Sequence, residues 1–181
     1  MNLSRLAARL RLPLGFVLGA LYLALAQPSE TTLAAGAIVA LLGVLARAWA
    51  AGHIVKNDRL ATTGPYAHTR NPLYFGSFLI ASGFALAAHW ALLAVVALFW
   101  ILIYGPTIAR ERIKILAMFP DSYPDFERNV PAFVPRLLPW NSGGETTAFS
   151  PALYMRHGEW RAAVGYLATM IWLLLRLRRI V

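Results

Sequence analysis

Two polar stretches interrupt an otherwise apolar chain, and they hold the side chains able to do chemistry. The first, GPYAHTRNPLYFG from Gly64 to Gly76, packs a turn, a helix start, two tyrosines and a cation into one short run. Gly64-Pro65 is turn chemistry. Asn71-Pro72 reads as a helix start, because asparagine is a favoured N-cap and proline suits the first helical position. The same geometry serves an anion, since a helix N-terminus presents free backbone N–H groups and the positive end of the helix dipole. Tyr66 and Tyr74 are either interfacial aromatics or rings and hydroxyls that pack against a cationic or aromatic ligand. Arg70 can meet lipid phosphates. The second stretch runs from Arg110 to Lys114 and contains Glu111, the sole acid between Asp58 and Asp121. Glu111 either pairs with Lys114 one helical turn on or offers a carboxylate to the ammonium group of a ligand.

Other chemistries are excluded or weakened by what surrounds these stretches. The chain has no cysteine, so disulfides, thiolate nucleophiles and cysteine-ligated metals are ruled out. His53, His68, His89 and His157 lie far apart without ligand spacing, which argues against a metal site. The formal charge of +9 could point to nucleic acid. The basic residues, however, stand between long apolar runs, where lysine and arginine mark cytoplasmic loops, and no nucleic-acid partner is expected.

The elements that must position these residues are membrane helices. Of 181 residues, 59% are hydrophobic and 14% charged, and the mean hydropathy is +0.56. The expected fold is all-α, a polytopic membrane helical bundle of four transmembrane helices with a fifth candidate. The spans are Leu12 to Ala26, Leu33 to Gly52, Pro72 to about Ala88, and about Trp90 to Ile108. Leu12 to Ala26, with Arg5, Arg9 and Arg11 before it, also has the pattern of a cleavable signal peptide. Gly36 and Gly43 in the second span are small residues of the kind that let helices approach closely. The third and fourth spans form a hairpin that turns at His89 and returns Glu111 to the side from which Pro72 departs. Gly105-Pro106 predicts a kink. Phe119 to Trp140 holds prolines at 120, 124, 131, 135 and 139, too many for a helix, and reads as an ordered loop. Residues 1–140 form the core, and 141–181 a linker followed by the fifth apolar candidate, Ala162 to Leu175, of open orientation. The spans contain no Asp or Glu, which argues against a proton-coupled transporter.

GPYAHTRNPLYFG, a hydrophobic hairpin and then RERIKILAMFPDSYPDFERNVPAFVP together resemble an integral-membrane methyltransferase family, one that includes isoprenylcysteine carboxyl methyltransferase and phospholipid methyltransferases. The resemblance covers about residues 33–139. It implies a site on the cytoplasmic face for S-adenosylmethionine and a lipophilic or lipid acceptor entering from the bilayer. By position, the implied cofactor-binding residues are Asp58, Arg59, Leu60, Ala61, Tyr66, Asn71, Pro72, Leu73, Tyr74 and Glu111. In this arrangement Glu111 takes the methionine ammonium, the Pro72 helix start its carboxylate, and Tyr66 and Tyr74 wall the adenosine or sulfonium. The chain departs from the family pattern at Asn71 (histidine), Arg112 (a second glutamate), Pro120 (glycine) and Thr107 (a substrate-reading arginine in the isoprenylcysteine enzymes).

Methyl transfer from a sulfonium is mainly positioning, and no dedicated base is required. That favours an apolar acid or phenol over an amine head group as acceptor, since Asn71 is a poor base. Two alternatives remain at this level: an NADPH-dependent membrane reductase of the sterol-reductase type, and a non-enzymatic membrane protein that keeps the fold.

Overall fold

The structure is a computed structural model that describes residues 3–54, 59–141, 143 and 147–179. Among these, all regular structure is helical: α1 (Leu3–Leu25), α2 (Glu30–Ala51), a 3-10 turn (Gly64–Ala67), α3 (Pro72–Ala88), α4 (Leu92–Phe99), a π segment (Trp100–Tyr104), α5 (Gly105–Met118), α6 (Tyr123–Asn129), α7 (Pro151–Arg156) and α8 (Trp160–Leu177). The stretch from α4 through α5 is one helix, Leu92–Met118.

Among the described residues, three helices are long and apolar enough to cross a membrane: Glu30–Ala51, Leu92–Met118 and Trp160–Leu177. The expected set of four is borne out only in part: Leu33 to Gly52 and Trp90 to Ile108 fall on such helices. Pro13–Leu25 and Pro72–Ala88 are apolar but shorter. At 1.5 Å per residue α3 reaches only about 26 Å, short of a hydrocarbon core of roughly 30 Å. The fifth candidate, by contrast, meets the length as α8.

The centre of the bundle is the α2–α3 pair. Ser29 caps α2 reciprocally with Thr32, taking the Thr32 N–H at 3.2 Å while the Thr32 hydroxyl oxygen accepts the Ser29 N–H at 3.0 Å. Further along, glycines face glycines. A Cβ on Gly43 would stand 2.6 Å from the Gly76 carbonyl oxygen, and one on Gly36 would strike the Gly83 carbonyl. The two backbones thus touch, as expected of small residues in lipid-facing bundles. At one end of the pair, the Gln27 N–H reaches the Ala88 carbonyl at 3.0 Å. The polar stretches gather at the other end, called the site end below.

α8 is oriented by both of its ends. It starts at the site end, where Glu159 pairs with Arg47 of α2 at 2.7 Å and His157 Nδ1 lies 3.0 Å from the Ala51 carbonyl. It finishes at the opposite end, where Arg176 Nε donates to the Ala26 carbonyl at 2.7 Å and Leu173 packs with Ala26 and Ala88. It therefore runs antiparallel to α2, a direction that flanking charge alone left open.

The expected kink takes the form of the π segment. Pro106 has no N–H to give the Leu102 carbonyl, and its ring would clash there, so the helix widens just ahead of it. The Gly105 N–H bonds back to the Trp100 carbonyl. One other expectation fails: Phe119 to Trp140 is not all loop, because α6 forms within it. Pro124 occupies the first turn of α6, where no intrahelical N–H is needed, with Asp125 in that turn and Arg128 in the last. The chain beyond α6 is pinned back on the 3-10 turn by backbone bonds from Arg70 to Pro131, from Arg136 to His68 and from Trp140 to Ala67, each 2.9 Å.

Gly43→Val should force α2 from α3 and destabilise the fold by about 1–3 kcal/mol, the usual range for overpacking. Thermal unfolding of the detergent-solubilised protein measures it, with Gly15→Val, where a Cβ meets nothing within 4 Å, as the control.

Candidate functional site

A cavity of about 690 Å³ opens at the site end, between the loop at 59–61, the 3-10 turn, the start of α3, α5, α6 and Ala132. Its size is that of a small-ligand pocket. Of the residues singled out from the sequence, Arg59, Leu60, Ala61, Tyr66, Asn71 and Glu111 line it together. Pro72, Leu73 and Tyr74 stand behind its wall. Pro72 is buried and Leu73 packs on the cluster of Tyr66, Tyr123, Phe126 and Val130, while the Tyr74 hydroxyl donates to Oε1 of the lining residue Glu111 at 2.7 Å. Asp58 lies outside the described residues.

Asn71 is the residue ahead of α3, as its sequence context predicts, yet its side chain makes no capping bond. Instead its Nδ2 donates to the Ala132 carbonyl at 2.8 Å. It fastens the closing segment to the start of α3. Thr69 does the same from the neighbouring position, with its hydroxyl on the Phe133 carbonyl at 2.9 Å.

Glu111 forms no ion pair among the described residues, and in particular none with Lys114. Its carboxylate is oriented by Tyr74, whose ring meets Tyr104 edge-on at 5.4 Å. Arg70 is turned inward rather than toward lipid. Its Nη1 donates to Tyr123 Oη at 3.0 Å and to Glu127, and its guanidinium lies over the Tyr123 ring. Arg112 holds the same Glu127 through Nε and Nη2, both at 2.6 Å. One carboxylate on α6 thus ties the approach to α3 and the middle of α5 together. The sequence reading missed Glu127 altogether; opposite charges fifteen residues apart on different helices carry no spacing signal. Thr107 is buried, with its hydroxyl returned to the Ile103 carbonyl at 2.7 Å, so it does not stand in for a substrate-reading arginine.

Two lining groups lack partners. The Tyr66 hydroxyl is buried without one, on a residue only 6% exposed, and Arg70 Nε is buried without one as well. Burial pushes the Tyr66 pKa up, the Glu159 carboxylate adds to this and Arg47 opposes it, so the phenol stays protonated and a donor. With Glu111 available to an ammonium group and Arg59, Arg110 and Lys114 also on the lining, the cavity can hold a zwitterion joined to a flat ring system.

A model of the phospholipid methyltransferase family matches residues 37–119. Among curated proteins, the nickel-cobalt-cadmium resistance protein NccN of Alcaligenes xylosoxydans xylosoxydans is 36% identical over 135 residues, which is 70% of this chain and 63% of that protein. The cobalt-zinc-cadmium resistance protein CzcN of Cupriavidus metallidurans is 35% identical over 122 residues, 66% of this chain and 55% of that protein. The chain therefore spans less than two thirds of the length of either. No solved structure matches it.

Hydrogen bonds from Arg112, above all, and from Arg70 hold the Glu127 carboxyl below its ordinary value of 4.5, with burial opposing. Because the folded pKa is the lower one, the clamp stabilises fully above the unfolded value and is lost as pH falls through the folded one. Wild type should therefore lose its margin of thermal stability over Glu127→Gln as pH drops below 4.5, read from unfolding midpoints across pH.

Proposed function

Because residues 37–119 match a model of the phospholipid methyltransferase family, we propose that this membrane protein moves a methyl group from S-adenosylmethionine to a lipophilic acceptor. The cavity at the site end is the proposed cofactor site. The observation that carries the reading is the meeting of the two motif halves: Asn71 and Glu111 line one cavity, and Tyr74 orients the Glu111 carboxylate.

The residues present fit the cofactor. Glu111 would hold its ammonium group, the basic side chains of Arg59, Arg110 and Lys114 offer donors to its carboxylate, and Tyr66 and Phe119 offer rings to its flat base. When bound, the cofactor supplies a methyl group on a sulfonium, an electrophile that needs no metal or acid. The protein's part is positioning and exclusion of water. Phe119, Tyr123 and Phe126 wall the cavity with apolar surface, and the Glu127 clamp holds α6 against α5. Among the described lining residues no histidine faces the cavity to act as a general base, which favours an acceptor that arrives with its nucleophile already available.

An NADPH-dependent reductase would draw on the same basic lining, and a protein that keeps only the fold would bind neither cofactor. The family match favours methyl transfer over both. The names of the two curated relatives refer to metal resistance. Among the described residues no three His, Cys, Asp or Glu side chains are grouped to hold a metal ion, and the proposal places the chemistry on a lipophile.

Glu111→Ala should weaken S-adenosylmethionine binding roughly 10- to 100-fold, the scale of a lost charge-assisted contact. Isothermal titration of the detergent-solubilised chain reads this, with unchanged circular dichroism as the folding control. Wild-type affinity in the folded variant would remove Glu111 from the site and the proposal with it.

A further inference from the structure

The two arms of the hairpin carry matching stripes. From the start of α3, Asn71, Tyr74, Ser77 and Ala81 follow one another at helical spacing and so share a face. On the helix that runs from α4 through α5, Trp100, Tyr104, Ile108 and Glu111 do the same. Asn71, Ile108 and Glu111 line the cavity at the site end. Ser77, Ala81, Trp100 and Tyr104 line a second, mainly apolar cavity of about 1260 Å³ among α1, α3, α4 and α8. Each arm therefore passes from one cavity to the other, and Tyr74 and Tyr104 meet at the join.

That join is aromatic. The Tyr74 and Tyr104 rings lie 5.4 Å apart at 68°, which makes a corner bounded by ring faces, and Trp100 stacks on Tyr104 at 4.1 Å. Both tyrosines are half-buried, so neither ring is sealed off. The face of an aromatic ring is electron-rich and attracts a cation within about 6 Å of its centroid. A carboxylate stands beside the corner, since the Tyr74 hydroxyl is on Glu111. S-adenosylmethionine has two cationic centres a few bonds apart, an ammonium and a sulfonium. Among the described lining residues of the site-end cavity Glu111 is the one acid, and Glu159 of the second cavity is taken by Arg47 through Nε at 2.9 Å and Nη2 at 2.7 Å. With the ammonium on Glu111, the sulfonium has no carboxylate left to it, and the ring faces next to Glu111 are its remaining counterpart.

We propose that Tyr104, in the corner it makes with Tyr74, is the sulfonium contact of the cofactor site. The inference rests on the methyltransferase reading and adds a cofactor-binding residue to it, one that the sequence motifs do not mark. Tyr104 sits in the π segment ahead of Pro106, and the stack on Trp100 holds its ring in place. A contact of this kind reads charge. It favours a sulfonium over the neutral thioether that remains once the methyl group has gone, and so helps spent cofactor to leave. Because Tyr104 also lines the apolar cavity, the contact puts the reactive centre next to the space that suits a lipophilic acceptor.

The test is isothermal titration of the full chain in detergent with S-adenosylmethionine and, separately, with S-adenosylhomocysteine, its neutral thioether. The ratio of the two affinities cancels any general damage to the cavity. Tyr104→Leu should weaken S-adenosylmethionine about fivefold, the scale of one cation–π contact, and S-adenosylhomocysteine by less than about twofold. Tyr104→Phe keeps the ring and should keep the wild-type ratio. If Tyr104→Leu does not fold, pentafluorophenylalanine at position 104 preserves the ring's size while cancelling its negative face, and the same loss is expected of it. A wild-type ratio in the folded leucine or fluorinated variant overturns the assignment of Tyr104 and leaves the methyltransferase reading standing. Failure of the wild-type chain to bind either compound defeats that reading, and this contact with it.

Discussion

A hydroxyl on a carboxylate, Tyr74 on Glu111 at 2.7 Å, joins two parts of the chain that lie 37 residues apart. The bond requires that α3 leave the site end, that the chain reverse at the far end, and that α4 return through the π segment with the correct rotation. An unbroken α-helix could not carry Pro106 at that point without losing a bond and meeting the Leu102 carbonyl. The widened turn removes the clash and sets the rotation of everything beyond it, Glu111 included. Local backbone chemistry at one proline thus governs where a carboxylate sits five residues later.

Around that bond the site is closed by contacts that are individually ordinary. Glu127 bridges Arg70 and Arg112, Asn71 and Thr69 hold the carbonyls of Ala132 and Phe133, and three backbone bonds pin residues 131–140 to the turn. Arg112, which stands where the resembled family has a second glutamate, has its own acid partner here. Arginine at this position is thus accommodated by an acid of α6, and among the described lining residues Glu111 is the acidic group.

Much of this was legible in the sequence, for definable reasons. The helix start at Pro72, the glycines of α2, the turn at His89 and the break at Pro106 are local signals whose physics acts within a few residues. The pairing of Asn71 and Glu111 followed from counting apolar spans on the way out and back. Less legible were features made by packing at a distance. α6 was masked by its prolines, although Pro124 suits a first turn. Asn71 looked like a cap but is used across the chain. Which neighbours α1 and α8 pack against was not legible either, because apolar helices carry no sequence mark of which neighbour they face. The short length of α3 was legible too, but its unbroken apolarity and the charge-free turn at His89 led to its being counted as a full span.

The central claim is that the cavity at the site end belongs to S-adenosylmethionine. The most direct measurement is the thermal shift of the purified wild-type chain with S-adenosylmethionine and with NADPH, added singly and then in competition. The account predicts a saturable rise in unfolding temperature with S-adenosylmethionine that NADPH neither produces nor displaces. Stabilisation by NADPH alone, or by neither compound, would contradict it.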